Sequence, residues 1–224
     1  MFSTNIAFLG EERQKLLNNA AIMIAGMGGL GCTVAQNLVR LGIGKLIIVD
    51  YDKVALSNLN RQILYTAQDV GQFKVEIASE NLRKINEFTE IIPINKKIVD
   101  SQCLHKEFPE NKFAGIADCL DNYESRFILE ELLMPDQFLV HGGVMNDFGQ
   151  ITTIRKKLTK SMKDLYKDVE ISTRPIPVIP QTVLTIGSLM SHEIMNNIFG
   201  TPQLLNKLLI TELTDFSMFK IDLE

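Results

Sequence analysis

The sequence predicts an α/β fold, Rossmann-like, in which a mostly parallel sheet carries helices on both faces and is extended by antiparallel strands near the C-terminus. Three observations carry this. Short apolar runs alternate with stretches of helical apolar spacing. A glycine run, Gly26-Met27-Gly28-Gly29-Leu30-Gly31, lies between the first such run and the first such helix. From Gly149 onward the pattern changes to β-branched alternation. The 224 residues, 46% hydrophobic and 22% charged, suffice for one large α/β domain with its own core. The chain therefore reads as a single domain over 1–224, with a nucleotide-binding half at 20–145, a connecting loop at 156–180 and a closing helix and strands at 181–224.

Taken in order, residues 20–25 (Ala-Ala-Ile-Met-Ile-Ala) form a short apolar run closed by glycine, the mark of a buried strand. Helical spacing follows over 34–41, and a second strand over Lys45–Val49 ends at Asp50. After Lys74 the apolar positions of 75–85 recur at helical spacing, and 90–95 reads as a strand whose proline favours an outer position. Residues 112–117 form another strand, 123–134 a helix stopped by Pro135, and 138–141 a strand. The alternation of 150–155 places it outside the parallel set. Residues 156–170 are charged, and Pro175, Pro177 and Pro180 hold the next segment extended. A long helix over 181–199 ends at Gly200, and 204–210 and 216–221 close the chain as two strands.

The glycines have a physical reading as a phosphate site. Gly26 permits a tight turn, Gly28 lets a phosphate approach the backbone, and Gly31 allows close helix–strand packing, with free N–H groups at the helix start. Such a run alone also fits a plain strand–helix turn. Asp50, about 20 residues on, stands where a dinucleotide fold places the acceptor for ribose hydroxyls, which fits NAD as well as ATP. The loop Ser57-Asn58-Leu59-Asn60-Arg61-Gln62 and then Lys74 separate those two, because a triphosphate needs clustered donors as its α-phosphorus is attacked. Arg61 offers a planar fork and Lys74 a point charge; either alone could be a solvated surface cation.

These motifs give the chain a resemblance to the MoeB/ThiF/HesA family, the bacterial-type activating enzymes of ubiquitin-like proteins. The residues carrying it are Gly-Met-Gly-Gly-Leu-Gly-Cys at 26–32, Asp50 with Asp52, Ser57-Asn-Leu-Asn-Arg-Gln62, Val70-Gly-Gln-Phe-Lys-Val-Glu76, Asp118-Cys-Leu-Asp-Asn122 and Gly149-Gln-Ile-Thr152. The resemblance implies a homodimeric adenylyltransferase. ATP and the C-terminal glycine carboxylate of a small β-grasp carrier protein ending in Gly-Gly would yield an acyl-adenylate and pyrophosphate. It implies that ATP is bound by Gly26, Gly28, Gly29, Gly31, Asp50, Asp52, Asn58, Arg61, Gln62, Lys74, Asp121 and Asn122. Arg61, Lys74 and Asp121 would be the catalytic set, Asp121 also the residue associated with Mg2+. Asp118 and Asp121 then emerge at a strand's carboxyl end, where open α/β sheets bind ligands, and Mg2+ takes one or two carboxylates plus phosphate oxygens. Asp121 could equally cap the helix beginning near Tyr123. The segment 156–180 corresponds to the family's crossover loop over the carrier tail, or is a surface connection.

Two departures from the family's pattern stand out. Members commonly carry an arginine near the N-terminus that reaches the partner's ATP, whereas 2–6 reads Phe-Ser-Thr-Asn-Ile and Arg13 lies beyond the Leu9-Gly10 landmark. Cys32, Cys103 and Cys119 form no paired motif, so a four-ligand structural zinc of that kind is excluded, as is a thioester cysteine in the crossover segment. Cys32 and Cys119 read as small buried hydrophobes. His141, beside Gly142-Gly143, sits where the resemblance places the approach of the carrier's diglycine tail, although a lone histidine at a strand end is more often structural; His105 and His192 lack partners at metal-ligand spacing, and Met190 and Met195 read as core or dimer packing. The net charge of −4 gives no global attraction to nucleic acid, no stretch has the length of a membrane span, and the start lacks a signal peptide's basic and apolar regions. A reducing cytoplasm is the compartment expected from the cysteines. Competing readings are a dehydratase acting on threonylcarbamoyladenosine in tRNA, a degenerate ATP- or carrier-binding protein, and an NAD oxidoreductase.

Overall fold

The computed structural model describes residues 1–100, 113–167 and 176–223. Among them one eight-stranded sheet runs β3-β2-β1-β4-β5-β6-β7-β8. Its strands are β1 (Ala21–Ala25), β2 (Lys45–Val49), β3 (Glu90–Ile94), β4 (Gly115–Asp118), β5 (Phe138–Met145), β6 (Phe148–Ile154), β7 (Lys207–Glu212) and β8 (Ser217–Asp222). From β3 to β5 all neighbours are parallel, and from β5 to β8 all are antiparallel. The change falls at a tight hairpin between Met145 and Phe148, where Asn146 takes a positive φ of 55°. Strand β3 is an edge, so the missing N–H of Pro93 breaks no inner ladder.

Alternation along the strands divides the core in two. Ile22, Ile24, Leu46, Ile48, Val140 and Ile151 face α3 (Gly29–Leu41), α4 (Lys74–Ile85) and α7 (Pro180–Ile198). Met23, Ala25, Ile47, Ile116 and Leu139 face α5 (Tyr123–Leu132) and α6 (Met162–Leu165). Both faces of the parallel region are thus covered, as its continuous apolar runs require. Met190 and Met195 both belong to the buried core.

Several boundaries differ from the sequence reading, each for a local reason. Helix α3 begins at Gly29 rather than at 34, because Gly29 and Gly31 are accommodated by close packing that apolar spacing does not reveal. Strand β5 continues through Gly142 and Gly143 to Met145, held by its ladder with β6. Helix α5 stops at Leu132, two residues short of 134, and β7 starts later than 204. Helices α1 (Ser3–Leu9) and α2 (Glu11–Asn19) were not foreseen: α1 buries nothing and α2 buries only Gln14 and Leu17, so neither has an apolar stripe to read. Part of the connecting loop, 168–175 with Pro175, and the segment 101–112 with Cys103 and His105, lie outside the described residues.

Candidate active site

Strand order reverses between β1 and β4: the chain leaves β1 toward β2 and returns to β4 on the other side. Open α/β sheets bind ligands at that switch point, beyond the carboxyl ends of the strands. Two segments meet there, the glycine turn after β1 and the 119–122 loop after β4. Gly26 has φ +90°, and a Cβ on it would lie 2.7 Å from the carbonyl oxygen of Cys119, so the two segments touch through its bare backbone. Gly31 is tighter still, with a notional Cβ 1.9 Å from the Gly26 carbonyl oxygen. Gly29 is required by a distant element, since its Cβ would come within 2.6 Å of Val183 at the start of α7. Only at Gly28 is there room, the nearest atom to a notional Cβ being Gln62 Nε2 at 3.8 Å. Helix α3 has no side-chain cap, which leaves the N–H groups of its first turn open toward this space.

Asp50 organises the other side. Its carboxylate accepts from the N–H of Met27 at 2.6 Å and from the N–H of Asp52 at 2.8 Å, tying the end of β2 to the glycine turn. Each oxygen retains a second lone pair for a ribose hydroxyl. Burial pushes the Asp50 carboxyl above the ordinary aspartate value, against the opposing pull of Lys74 and the N–H groups of Asp52 and Met27. If Asp50 accepts from a ribose, that recognition by an ionised carboxylate should weaken on acidification earlier than an unperturbed aspartate would allow. ATP titrations at stepwise lower pH should show this loss, and Asp50→Asn should weaken binding and flatten the pH profile.

Lys74, the first residue of α4, is buried, and its Nζ donates to Asp52 Oδ2 at 2.8 Å. Arg61 bends back onto its own loop, its Nη1 donating to the Ser57 carbonyl at 3.1 Å and to Asn60 Oδ1 at 2.9 Å. Its backbone and Cγ still lie against Gly29. Asn58 uses Oδ1 to accept from the Ala55 N–H at 3.0 Å, leaving its amide N–H groups for a ligand. Gln62 is buried beside Gly28, and its Oε1 has no hydrogen-bond partner among the described residues.

On the facing loop the capping role goes to Asn122, whose Oδ1 accepts from the Ser125 N–H at 2.9 Å at the start of α5. The alternative that Asp121 caps this helix is thereby corrected, and Asp121 stands exposed, its carboxylate without a hydrogen-bond or ion-pair partner among the described residues. Asn122→Ala should cost about 1 kcal/mol of stability, measurable by urea unfolding. Among the described residues no group of three or more His, Cys, Asp or Glu could hold a metal by itself, so a Mg2+ at Asp121 would take its remaining ligands from phosphate and water.

The structure thus brings Gly26, Gly28, Gly29, Gly31, Asp50, Asp52, Arg61, Gln62 and Lys74 together at the carboxyl ends of β1 and β2 through the contacts above, with Asp121 and Asn122 on the adjoining loop. Arg13 is elsewhere: its guanidinium lies 5.2 Å from the ring centroid of Phe199, beyond the C-terminal end of α7. Val183 is a helix length of roughly 24 Å away, so Arg13 cannot reach its own chain's glycine turn. Cys32 and Cys119 are buried free thiols; burial pushes Cys32 up to about 12 and Cys119 well above its ordinary value. The sequence did not reveal a buried polar chain beside the site, Asp118–His141–Tyr166–Gln150.

The ThiF family profile matches residues 2–224. The chain belongs to the ThiF family. Two curated relatives illustrate the likeness of this ThiF-family protein. It is 32% identical over 194 residues to the molybdopterin-synthase adenylyltransferase of Escherichia coli, spanning 84% of this chain and 77% of that protein. It is 28% identical over 203 residues to the sulfur carrier protein adenylyltransferase of Thermus thermophilus, spanning 86% and 74%. Longer animal adenylyltransferase and sulfurtransferase relatives also match, and the chain spans only 31% of the pig protein's length. Among solved structures, that of E. coli MccB with ATP aligns with a TM-score of 0.83 at 21% identity, covering 99% of this chain and 70% of that one, a likeness of fold. Among the described residues no helix is long and apolar enough to cross a membrane.

Proposed function

We propose that this protein adenylates the C-terminal glycine carboxylate of a small β-grasp sulfur-carrier protein ending in Gly-Gly, releasing pyrophosphate, and that it does so as a cytoplasmic homodimer. The observation that carries the reading is the buried Lys74, held by Asp52 beside the Asp50-braced glycine turn. A cation placed there suits a triphosphate, whereas the nicotinamide chemistry of an oxidoreductase gives it no task. The names of the two bacterial relatives support the same class of reaction and partner.

In this reading Asp50 accepts from the ribose hydroxyls, and the N–H groups at Gly28 and Gly29 receive phosphate oxygens. A carboxylate oxygen of the carrier attacks the α-phosphorus. The new O–P bond forms as the bond from the α-phosphorus to the bridging oxygen breaks, and the electron pair leaves with pyrophosphate. Lys74 and Arg61 stabilise the charge that accumulates on the departing phosphates, Arg61 by swinging from its loop carbonyl. Asn58 and Gln62 supply neutral donors from their amide groups, and Asn122 offers its amide N–H groups beside Asp121. Asp121 would hold Mg2+, which when bound neutralises phosphate charge.

The test is exchange of labelled pyrophosphate into ATP, with and without a Gly-Gly-ended carrier. Carrier-stimulated exchange is expected, falling at least tenfold in Arg61→Ala and in Asp121→Ala. Exchange undiminished in both would remove these residues from the machinery. Dehydration of threonylcarbamoyladenosine in tRNA without any carrier would replace the substrate.

A further inference from the structure

Three strands and the segment after α6 meet at a polar chain on the α5 face of the sheet, none of whose members the adenylation reading uses. Asp118, the last residue of β4, and His141, midway along β5, are register partners, both fully buried, with His141 Nδ1 2.7 Å from Asp118 Oδ2. An ionised Asp118 places the ring proton on Nδ1 and leaves Nε2 as an acceptor. Tyr166, just beyond α6, lies 2.5 Å from that Nε2 through its hydroxyl, and donates to it. The Tyr166 oxygen in turn accepts from Gln150 Nε2 on β6. Gly143, opposite Gln150, permits this: a Cβ there would come within 3.2 Å of Gln150 Nε2. Every donor in the chain points toward Asp118.

Asp118 is also the anchor of the 119–122 loop. Its Oδ1 accepts from the Leu120 N–H at 3.1 Å, and the Arg126 guanidinium, 3.6 Å from Oδ2, donates to the Leu120 carbonyl oxygen. Leu120 adjoins Asp121. One buried carboxylate therefore holds both the loop carrying Asp121 and, through His141, the start of the segment that connects β6 to α7.

We propose that His141 and Tyr166 are positioning residues that couple the seating of residues 161–167 to the placement of the Asp121 loop. Seating of the segment completes the chain at Asp118 and holds the loop; its release lets the loop relax. The consequence for catalysis rests on Asp121 acting as proposed above, whereas the coupling itself does not.

The variant to use is Tyr166→Phe, which removes the hydroxyl and keeps the ring that packs edge-on against Tyr123 at 4.9 Å. Hydrogen–deuterium exchange on the full chain should become several-fold faster at 161–167 and also at 119–122. In the pyrophosphate exchange assay the Mg2+ concentration for half-maximal rate should rise several-fold with the KM for ATP unchanged, a split that general loosening does not produce. Faster exchange confined to 161–167, or an unaltered Mg2+ requirement in an active enzyme, overturns the coupling. If the wild-type chain exchanges no pyrophosphate, the adenylation reading fails and the deuterium comparison still decides the proposal.

Discussion

Lys74→Met is expected to lower carrier-stimulated pyrophosphate exchange by about 10²–10³-fold while lowering thermal stability only modestly. The reasoning starts from a local conflict. Lys74 is the first residue of α4, where the positive end of the helix dipole disfavours a cation, and it is almost fully buried, which disfavours any charge. Its ion-pair partner, Asp52, keeps 47% of its side-chain surface exposed. Methionine matches the buried stem and the released Asp52 can rehydrate, while the partly buried Asp50 carboxylate loses the pull of Lys74, so the cost stays below the about 3–5 kcal/mol of breaking a fully buried pair without vanishing. A near-complete loss of exchange with only a modest loss of stability would mark Lys74 as serving the ligand rather than the fold. Thermal unfolding and the exchange assay on one preparation check both halves. A large fall in stability would make Lys74 a structural residue.

The second large effect divides the glycine run. Gly31→Ala should destabilise the protein by roughly 3 kcal/mol or more, because its methyl would overlap the Gly26 carbonyl oxygen at 1.9 Å, and backbone cannot yield as a side chain can. Gly28→Ala should fold normally, its methyl meeting nothing nearer than 3.8 Å, yet occupy the space where a phosphate would approach. We expect ATP affinity to fall at least tenfold in Gly28→Ala with little change in urea midpoint. Calorimetric titration and urea unfolding of both variants separate the glycine that builds the turn from the glycine that serves the ligand.

Much of the fold was legible because its parallel strands are short, mostly apolar and separated by helices of clear periodicity. Pro93 marked its own strand as an edge for a stated reason, the absent N–H. The elements missed are those without such signals: α1 and α2 have almost nothing to bury, and the first turn of α3 is hidden in glycines whose tolerance comes from Val183 and Gly26 rather than from propensity. At the candidate site, the sequence offered Asp50 and Lys74 and the structure brings them near each other, but the ion pair between Lys74 and Asp52 and the capping of α5 by Asn122 were not legible, since both depend on how two loops are aimed. Tyr166 carried no signal at all. Its role depends on reaching a histidine 25 positions earlier in sequence, across two strands that the chain folds back to pair.

The account turns on which bond of ATP is broken and where AMP goes. Incubating the full chain with ATP, Mg2+ and a β-grasp carrier ending in Gly-Gly, then analysing the intact carrier by mass spectrometry alongside the released phosphates, tests this directly. Adenylation predicts AMP attached at the carrier's terminal glycine with equimolar pyrophosphate. Release of ADP and orthophosphate with an unmodified carrier would contradict it.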